Sequence, residues 1–253
     1  MRKTVFAANW KMYKDATDTK NFFAELEGLL DLRTLGMDKE VVVFPPSILI
    51  PAAVEASQGM AIGIGVQNIH WEEQGAFTGE ISAVMAKKAG ASYCLCGHSE
   101  RRQLFDESDE MTTHKAEAAI EAELIPIICI GETLYQRENE ETFEVLETQL
   151  AASLAGLRET KDIMIAYEPV WAIGTGETAS PSDAQSAIAF IRRSVRELWG
   201  DYADDIPILY GGSVKPQNIK EIMQCADIDG VLVGGASLKV DSFADIIKHG
   251  INI

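Results

Sequence analysis

The stretch IMIAYEP, Ile163 to Pro169, is a run of apolar residues and a tyrosine that ends in a carboxylate and a proline. Nothing in the run alternates polar with apolar, which is the pattern of a strand covered on both faces, and such strands belong to parallel sheets flanked by helices. Working outward, seven more runs of the same kind occur: TVFAANW from Thr4, EVVVFP from Glu40, AIGIGVQNI from Ala61, SYCLCG from Ser92, IPIICIG from Ile125, IPILYGG from Ile206 and GVLVGG from Gly230. The segments between them carry apolar residues at three and four spacings, as in DTKNFFAELEGLL from Asp18 and SDAQSAIAFIRRSVRELW from Ser182, which predicts helices. Ser47 before ILIPAAVEA and Ser180 before Pro181 and Asp183 read as helix starts. Eight strand-helix units with no antiparallel break predict a closed (β/α)8 barrel, an α/β fold, as one domain over 1–253, a usual size for that architecture. A doubly wound open sheet with a dinucleotide site gains little support. No G-x-G-x-x-G follows the first run, and GTG at Gly174 to Gly176 lacks the third glycine and the right strand before it.

The composition narrows the partners. Lys plus Arg number 22 against 39 Asp plus Glu, a net charge of −17, so the long-range field repels nucleic acid and anionic membranes, and neither is expected as a partner. An anionic substrate would have to be captured by local donors. The first residues lack the apolar core of a signal peptide and no segment is long and apolar enough for a membrane span, so the expected location is cytoplasmic. Of the four cysteines, Cys94 and Cys96 stand two apart and would share a strand face without bridging. With no second Cys or His pair nearby, buried free thiols are expected for these and for Cys129 and Cys225, and no metal site.

In a barrel the loops after the strands meet on one face, so chemistry gathers there. The polar residues at or just after the runs are Asn9 and Lys11, Ser47, Gln67 and Asn68, His98 and Glu100, Glu132, Glu168, Gly211 to Ser213, and Gly234 with Gly235. Glu168 precedes Pro169, which holds it in extended backbone at the strand end. A carboxylate so placed can take a weakly acidic C–H proton if its pocket is partly apolar, and Ile173 and Leu232 are candidates for that wall. His98 sits where a helix begins, and the N-terminal partial positive charge disfavours an imidazolium, leaving a neutral ring able to donate to a carbonyl oxygen. His70, His114 and His249 show no metal-ligand spacing. Lys11 offers a cation to an enolate oxygen and a phosphate, and the glycine pairs in GGSV and VGGAS offer backbone N–H groups to an anion. Each residue also has a plain structural reading: a strand-end surface charge, a satisfied histidine, a solvated lysine, tight turns. Together they suit proton transfer next to a carbonyl on a small phosphorylated substrate.

The motifs NWKM (Asn9 to Met12), GAFTGEIS (Gly75 to Ser82), GHSERR (Gly97 to Arg102), CIGETL (Cys129 to Leu134), AYEPVWAIGTG (Ala166 to Gly176), YGGSV (Tyr210 to Val214) and GVLVGGASL (Gly230 to Leu238) stand in the order and spacing of one family. Over essentially its whole length the chain resembles the triosephosphate isomerases, themselves a standard illustration of a carboxylate base, a neutral histidine and a closing loop working together. The resemblance implies a TIM barrel that interconverts D-glyceraldehyde 3-phosphate and dihydroxyacetone phosphate through an enediolate, in glycolysis and gluconeogenesis, without cofactor. It implies Glu168 as the base, His98 as the neutral electrophile, Lys11 and Asn9 as oxyanion and substrate contacts, and Glu100 as a supporting carboxylate. Gly174, Ser213, Gly234 and Gly235 would contact phosphate. Pro169, Val170, Trp171, Ala172, Ile173, Gly174, Thr175 and Gly176 would form a lid, and Phe77 and Thr78 the tip of an arm reaching a second subunit of a homodimer. Ala8, Tyr13, Cys96 and Glu177 depart from common family residues, and none of them removes a reagent.

Two other readings compete. One is a barrel enzyme for a larger sugar phosphate, although a Schiff-base aldolase needs a lysine within a strand, and Lys11 and Lys215 lie beyond the apolar runs. The other is a silent barrel kept for binding, which should have lost one of Glu168, His98 or Lys11.

Overall fold

The computed structural model describes residues 2–33, 35–173 and 178–251. Eight parallel strands, β1 (Thr4–Asn9), β2 (Lys39–Phe44), β3 (Ile62–Val66), β4 (Tyr93–Cys96), β5 (Ile125–Ile130), β6 (Met164–Tyr167), β7 (Ile208–Tyr210) and β8 (Gly230–Val233), close into a barrel in sequence order. The last strand pairs with the first, Val5 against Gly230 through Ala8 against Val233. Every run read as a strand is one. Around them lie α1 (Ala16–Leu29), α2 (Ile50–Ala56), α3 (Ala83–Lys88), α4 (Ser99–Leu104), α5 (Asp109–Glu121), α6 (Leu134–Glu138), α7 (Thr142–Leu154), α8 (Pro181–Trp199), α9 (Ile219–Met223) and α10 (Val240–Ile251). Ten helices among the described residues exceed one per strand, because β4 and β5 are each followed by a short helix, α4 and α6, before the long one that covers the barrel.

The two-residue period of a strand sorts the core into two layers. Phe6, Ala8, Val41, Val43, Cys94, Cys96, Ile165, Tyr167 and Val233 face outward and pack with the helices. Val5, Ala7, Val42, Phe44, Tyr93, Leu95, Ile127, Cys129, Met164, Ala166, Leu209 and Leu232 fill the barrel interior as a separate cluster. The rings of Phe44 and Tyr93 fit there because β3 presents Gly65 and Gly63 beside them, where a Cβ would strike each ring. All four cysteines are free thiols; the Sγ atoms of Cys94 and Cys96 lie 3.8 Å apart, and burial pushes Cys94 and Cys129 well above the ordinary thiol value.

Helix starts follow the sequence at α8, where Ser180 and Asp183 form a reciprocal capping box with Pro181 in the first turn. Ser47 differs. It opens a 3-10 turn, Ser47–Leu49, and its side chain caps nothing; α2 begins at Ile50. Pro51 in the first turn has no N–H to satisfy, so the helix starts three residues later without a side-chain cap. No helix among the described residues is long and apolar enough to cross a membrane.

Candidate active site

The inward parity of the strands decides which polar residues reach the barrel mouth. In β1, Val5 and Ala7 point inward and Asn9, the last residue of the strand, keeps that parity, with Lys11 two residues beyond; in β6, Met164 and Ala166 are followed by Glu168. The last residues of these strands are held on both sides, with Glu168 N–H donating to Ile130 O at 2.8 Å and Gly211 N–H to Tyr167 O at 2.7 Å. Asn9, His98 and Glu168 are almost fully buried, Glu168 being 2% exposed.

β4 hands His98 to α4 through Gly97, whose φ of 69° lies in the left-handed region and whose absent Cβ would sit 2.5 Å from Thr112 Oγ1. His98 is then the N-cap of α4, and its Nδ1 accepts the Glu100 N–H at 3.2 Å. With Nδ1 used as an acceptor, the ring proton is on Nε2, which lies 3.0 Å from Glu168 Oε1. The other carboxylate oxygen accepts the Ser99 N–H at 2.7 Å. Glu168 therefore rests against the first turn of α4, with both oxygens engaged. Only glycine fits beside its side chain at 211, where a Cβ would come within 2.9 Å of Glu168 Cγ and 3.7 Å of Oε1.

Lys11 has φ 52°, an uncommon conformation for a residue with a side chain. Three contacts fix it. Asn9 Oδ1 accepts the Lys11 N–H at 3.0 Å, Gln67 Nε2 donates to the Lys11 carbonyl at 2.8 Å and to the Phe44 carbonyl at 2.9 Å, and Lys11 Nζ pairs with Glu100 Oε1 at 2.5 Å. A cavity of about 300 Å³ is lined by Asn9, Lys11, His98, Glu168, Ile173 and Leu232, and on its far side by Ser213, Gly234 and Gly235. The expected base, electrophile, cation, apolar wall and glycine pairs thus meet in one space. Asn218 braces the GGSV turn by donating to Ser213 O at 2.9 Å and accepting the Lys215 N–H at 2.8 Å.

Other expected residues stand elsewhere. Ser47, Gln67 and Asn68 line a neighbouring cavity of about 450 Å³ with Met12, Gly79, Ile81 and Phe105, and Asn68 accepts from Lys115 Nζ at 2.8 Å. Glu132 is not in the cavity of Glu168: its Oε1 accepts Trp171 Nε1–H at 2.8 Å and Tyr167 O–H at 3.1 Å. Burial raises the Glu132 carboxyl above its ordinary value. Burial first and the neighbouring Glu132 second push the Tyr167 phenol far up, so it remains a donor. Of the lid residues, Val170–Ala172 form a 3-10 turn and Ile173 follows it, while Gly174, Thr175, Gly176 and Glu177 lie outside the described residues. The Arg137 guanidinium stacks 4.2 Å from the Trp171 ring centroid and lies 3.5 Å from Asp183 Oδ2. The sequence gives no signal for the Ser99 N–H or for Arg137, since both act through folded proximity; Gln67 was visible only as a polar residue after β3. Among the described residues, no group of three or more His, Cys, Asp or Glu side chains is placed to hold a metal ion.

Fold and site together are those of an isomerase built on a (β/α)8 barrel. The chain belongs to the triosephosphate isomerase family, whose model matches residues 4–250. A protein of Geobacter metallireducens named triosephosphate isomerase is 50% identical over 252 residues, spanning 98% of this chain and 99% of its own. One of Alkaliphilus metalliredigens with the same name is 49% identical over 251 residues, 98% of this chain and 100% of its own. One of Moorella thermoacetica, also so named, is 47% identical over 251 residues, 98% and 99%.

Proposed function

We propose that this isomerase interconverts D-glyceraldehyde 3-phosphate and dihydroxyacetone phosphate with Glu168 as the base that carries a proton between adjacent carbons. The observation that carries this reading is the 3.0 Å approach of Glu168 Oε1 to His98 Nε2 in a buried cavity shared with Lys11 and the glycine pairs. Glu168 takes the proton from the carbon next to the carbonyl, and the electron pair of that C–H bond moves into the carbon skeleton to give an enediolate. Charge then builds on oxygen, where the His98 Nε2–H and the Lys11 ammonium stabilise it; one such donor is typically worth about 10² to 10³ in rate. The proton returns to the neighbouring carbon and the hydroxyl proton passes between the two oxygens, so no electrons are exchanged with any outside group. Asn9 fixes Lys11, Glu100 holds its ammonium, and the N–H groups of Ser213, Gly234 and Gly235 take the phosphate. Gly174 is proposed as a further phosphate contact by resemblance alone.

Pro169 to Gly176 are proposed as the lid, with Ile173 as the apolar cover that excludes water from Glu168. A homodimer belongs to this reading, with Phe77 and Thr78 of one subunit meeting the other. It is supported by Met12 and Phe105, which are 92% and 61% exposed and line the same cavity beside Lys11. A cytoplasmic location is proposed with it, since the cysteines are free thiols of the kind a reducing compartment maintains. The test is an assay of the purified protein in EDTA on the two triose phosphates and on pentose and hexose phosphates. Turnover of the trioses alone is expected. Preference for a larger sugar phosphate, or no turnover of trioses, would sink the proposal.

A further inference from the structure

Lys14 takes no part in the chemistry above, yet it is built into the site's frame. It stands in the loop after β1, three residues beyond Lys11, with φ 75°, a second left-handed residue that carries a side chain. Its half-buried ammonium lies 5.1 Å from the Trp10 ring centroid and 4.9 Å from the Phe22 ring, and donates to the Leu238 carbonyl at 3.0 Å. Burial lowers its pKa from the ordinary lysine value, against the opposing charges of Asp18 and Glu25. A charged donor in such a place makes a stronger bond than it would in water.

Leu238 closes the 3-10 turn Gly235–Leu238 that follows β8. Inside this turn the Gly234 carbonyl accepts both the Ser237 N–H at 2.8 Å and the Ser237 hydroxyl at 2.7 Å, and Ser237 is fully buried. Residues 234–238 are therefore a stiff unit, fastened inside by Ser237 and outside by Lys14. Gly234, Gly235 and Leu238 all line the cavity that holds Glu168, and a Cβ on Gly234 would lie 3.2 Å from Lys11 Cε. One four-residue segment, 11–14, thus carries the catalytic cation at one end and the fastening of the β8 turn at the other.

We propose that Lys14 is a positioning residue for the phosphate end of the substrate: its ammonium ties the Leu238 carbonyl, and with it the turn presenting Gly234 and Gly235, to the loop that carries Lys11. This rests on the reading of those glycines as phosphate contacts. Without the ammonium the turn loses its outer fastening and phosphate is held less well. Glu168 and His98, placed by β6 and β4 on the other side of the cavity, keep their contacts.

The test is steady-state kinetics on a triose phosphate, with inorganic phosphate as inhibitor, for the wild type, Lys14→Met, Lys14→Gly and Lys14→Arg. A lost hydrogen bond from a charged donor predicts that Met and Gly raise KM and the phosphate inhibition constant together, by roughly tenfold. The same two variants should change kcat by less than about threefold, and Arg should restore both constants. Glycine adopts φ 75° without strain, so this variant remains informative if Lys14→Met folds poorly. Unchanged KM and phosphate inhibition in Met and Gly, with phosphate still inhibiting the wild type, would overturn the role of Lys14 alone. A wild type that phosphate does not inhibit would overturn the phosphate reading and the role of Lys14 with it. A fall in kcat, affinity and unfolding midpoint in all three variants, Arg included, would make Lys14 merely structural and overturn the proposal.

Discussion

Glu168, the proposed base, shows how surroundings fit a common residue type for chemistry. Its carboxylate accepts the Ser99 N–H at 2.7 Å and lies 3.0 Å from His98 Nε2, and its Cγ stands against the missing Cβ of Gly211. Replacing Glu168 by Gln keeps the size and one acceptor but removes the proposed proton carrier. The expected result is a kcat lower by at least about 10² with KM little changed, read from initial rates in both directions. A variant with full kcat would falsify the assignment of the base. At this scale the sequence showed the candidates, because Pro169 and the strand ends mark where Glu168 and Asn9 stand. It did not show what touches them. Ser99 offers only its main chain, which every residue has, and the contact of Gln67 with Lys11 spans 56 residues of chain.

Elements set the next level, and α6 with the turn after β6 is the clearest case. Glu132, at the end of β5, accepts from Tyr167 on β6 and Trp171 in the 3-10 turn, and Arg137 of α6 covers the same ring. This buried carboxyl is raised from an ordinary value of 4.5 by burial first, with the hydrogen bonds from Trp171 and Tyr167 opposing. A raised carboxyl favours the fold fully below the unfolded pKa, and that contribution is lost as pH rises through the folded pKa. Glu132→Gln keeps an acceptor and carries no charge, so its stability relative to the wild type should improve as pH goes from about 4.5 toward 7. Urea unfolding across that range checks this, and a difference that stays flat with pH would contradict it. Glu132→Leu removes the acceptor of the buried Tyr167 hydroxyl and should destabilise by about 1 to 3 kcal/mol. The start of α2 belongs to this scale too: the sequence suggested a Ser47 cap, but a 3-10 turn and Pro51 moved the helix to Ile50.

For the whole molecule, barrel closure rests on more than strand pairing. Asp229, just before β8, accepts the Ile208 N–H at 2.9 Å, Arg192 Nη2 at 2.5 Å and Arg2 Nε at 2.6 Å, while its carbonyl accepts the Val5 N–H at 2.9 Å. One carboxylate therefore joins the start of β1, β7 and α8 where the barrel closes. The surface carries the other feature at this scale. The loop after β3 returns through a bridge between His70 and Ser82, with the Phe77 ring tilted against His70 at 4.2 Å and still 43% exposed. An apolar ring held in a fixed place on an exposed loop suits a partner surface. Phe77→Glu should therefore raise the dissociation constant of the proposed homodimer by at least about 10². Sedimentation of both proteins from nanomolar to micromolar concentration measures it, and an unchanged constant would remove Phe77 from the interface.

The sequence by itself determined the eight buried strands, their order and the polar residues at their ends, Asn9, Lys11 and Glu168 among them. These follow from short, continuous apolar runs and the residues that end them, which need no knowledge of the rest of the chain. His98 at a helix start and the glycine pairs after the last strands were equally legible, as local chemistry. The tertiary structure alone decided the contacts between loops: Ser99 on Glu168, Gln67 on Lys11, Arg137 on Trp171, and Lys14 on Leu238 across 224 residues. Each joins a side chain to a main-chain group or a ring that no residue type announces, and each exists only because closing the barrel brings the ends of distant strands to one face.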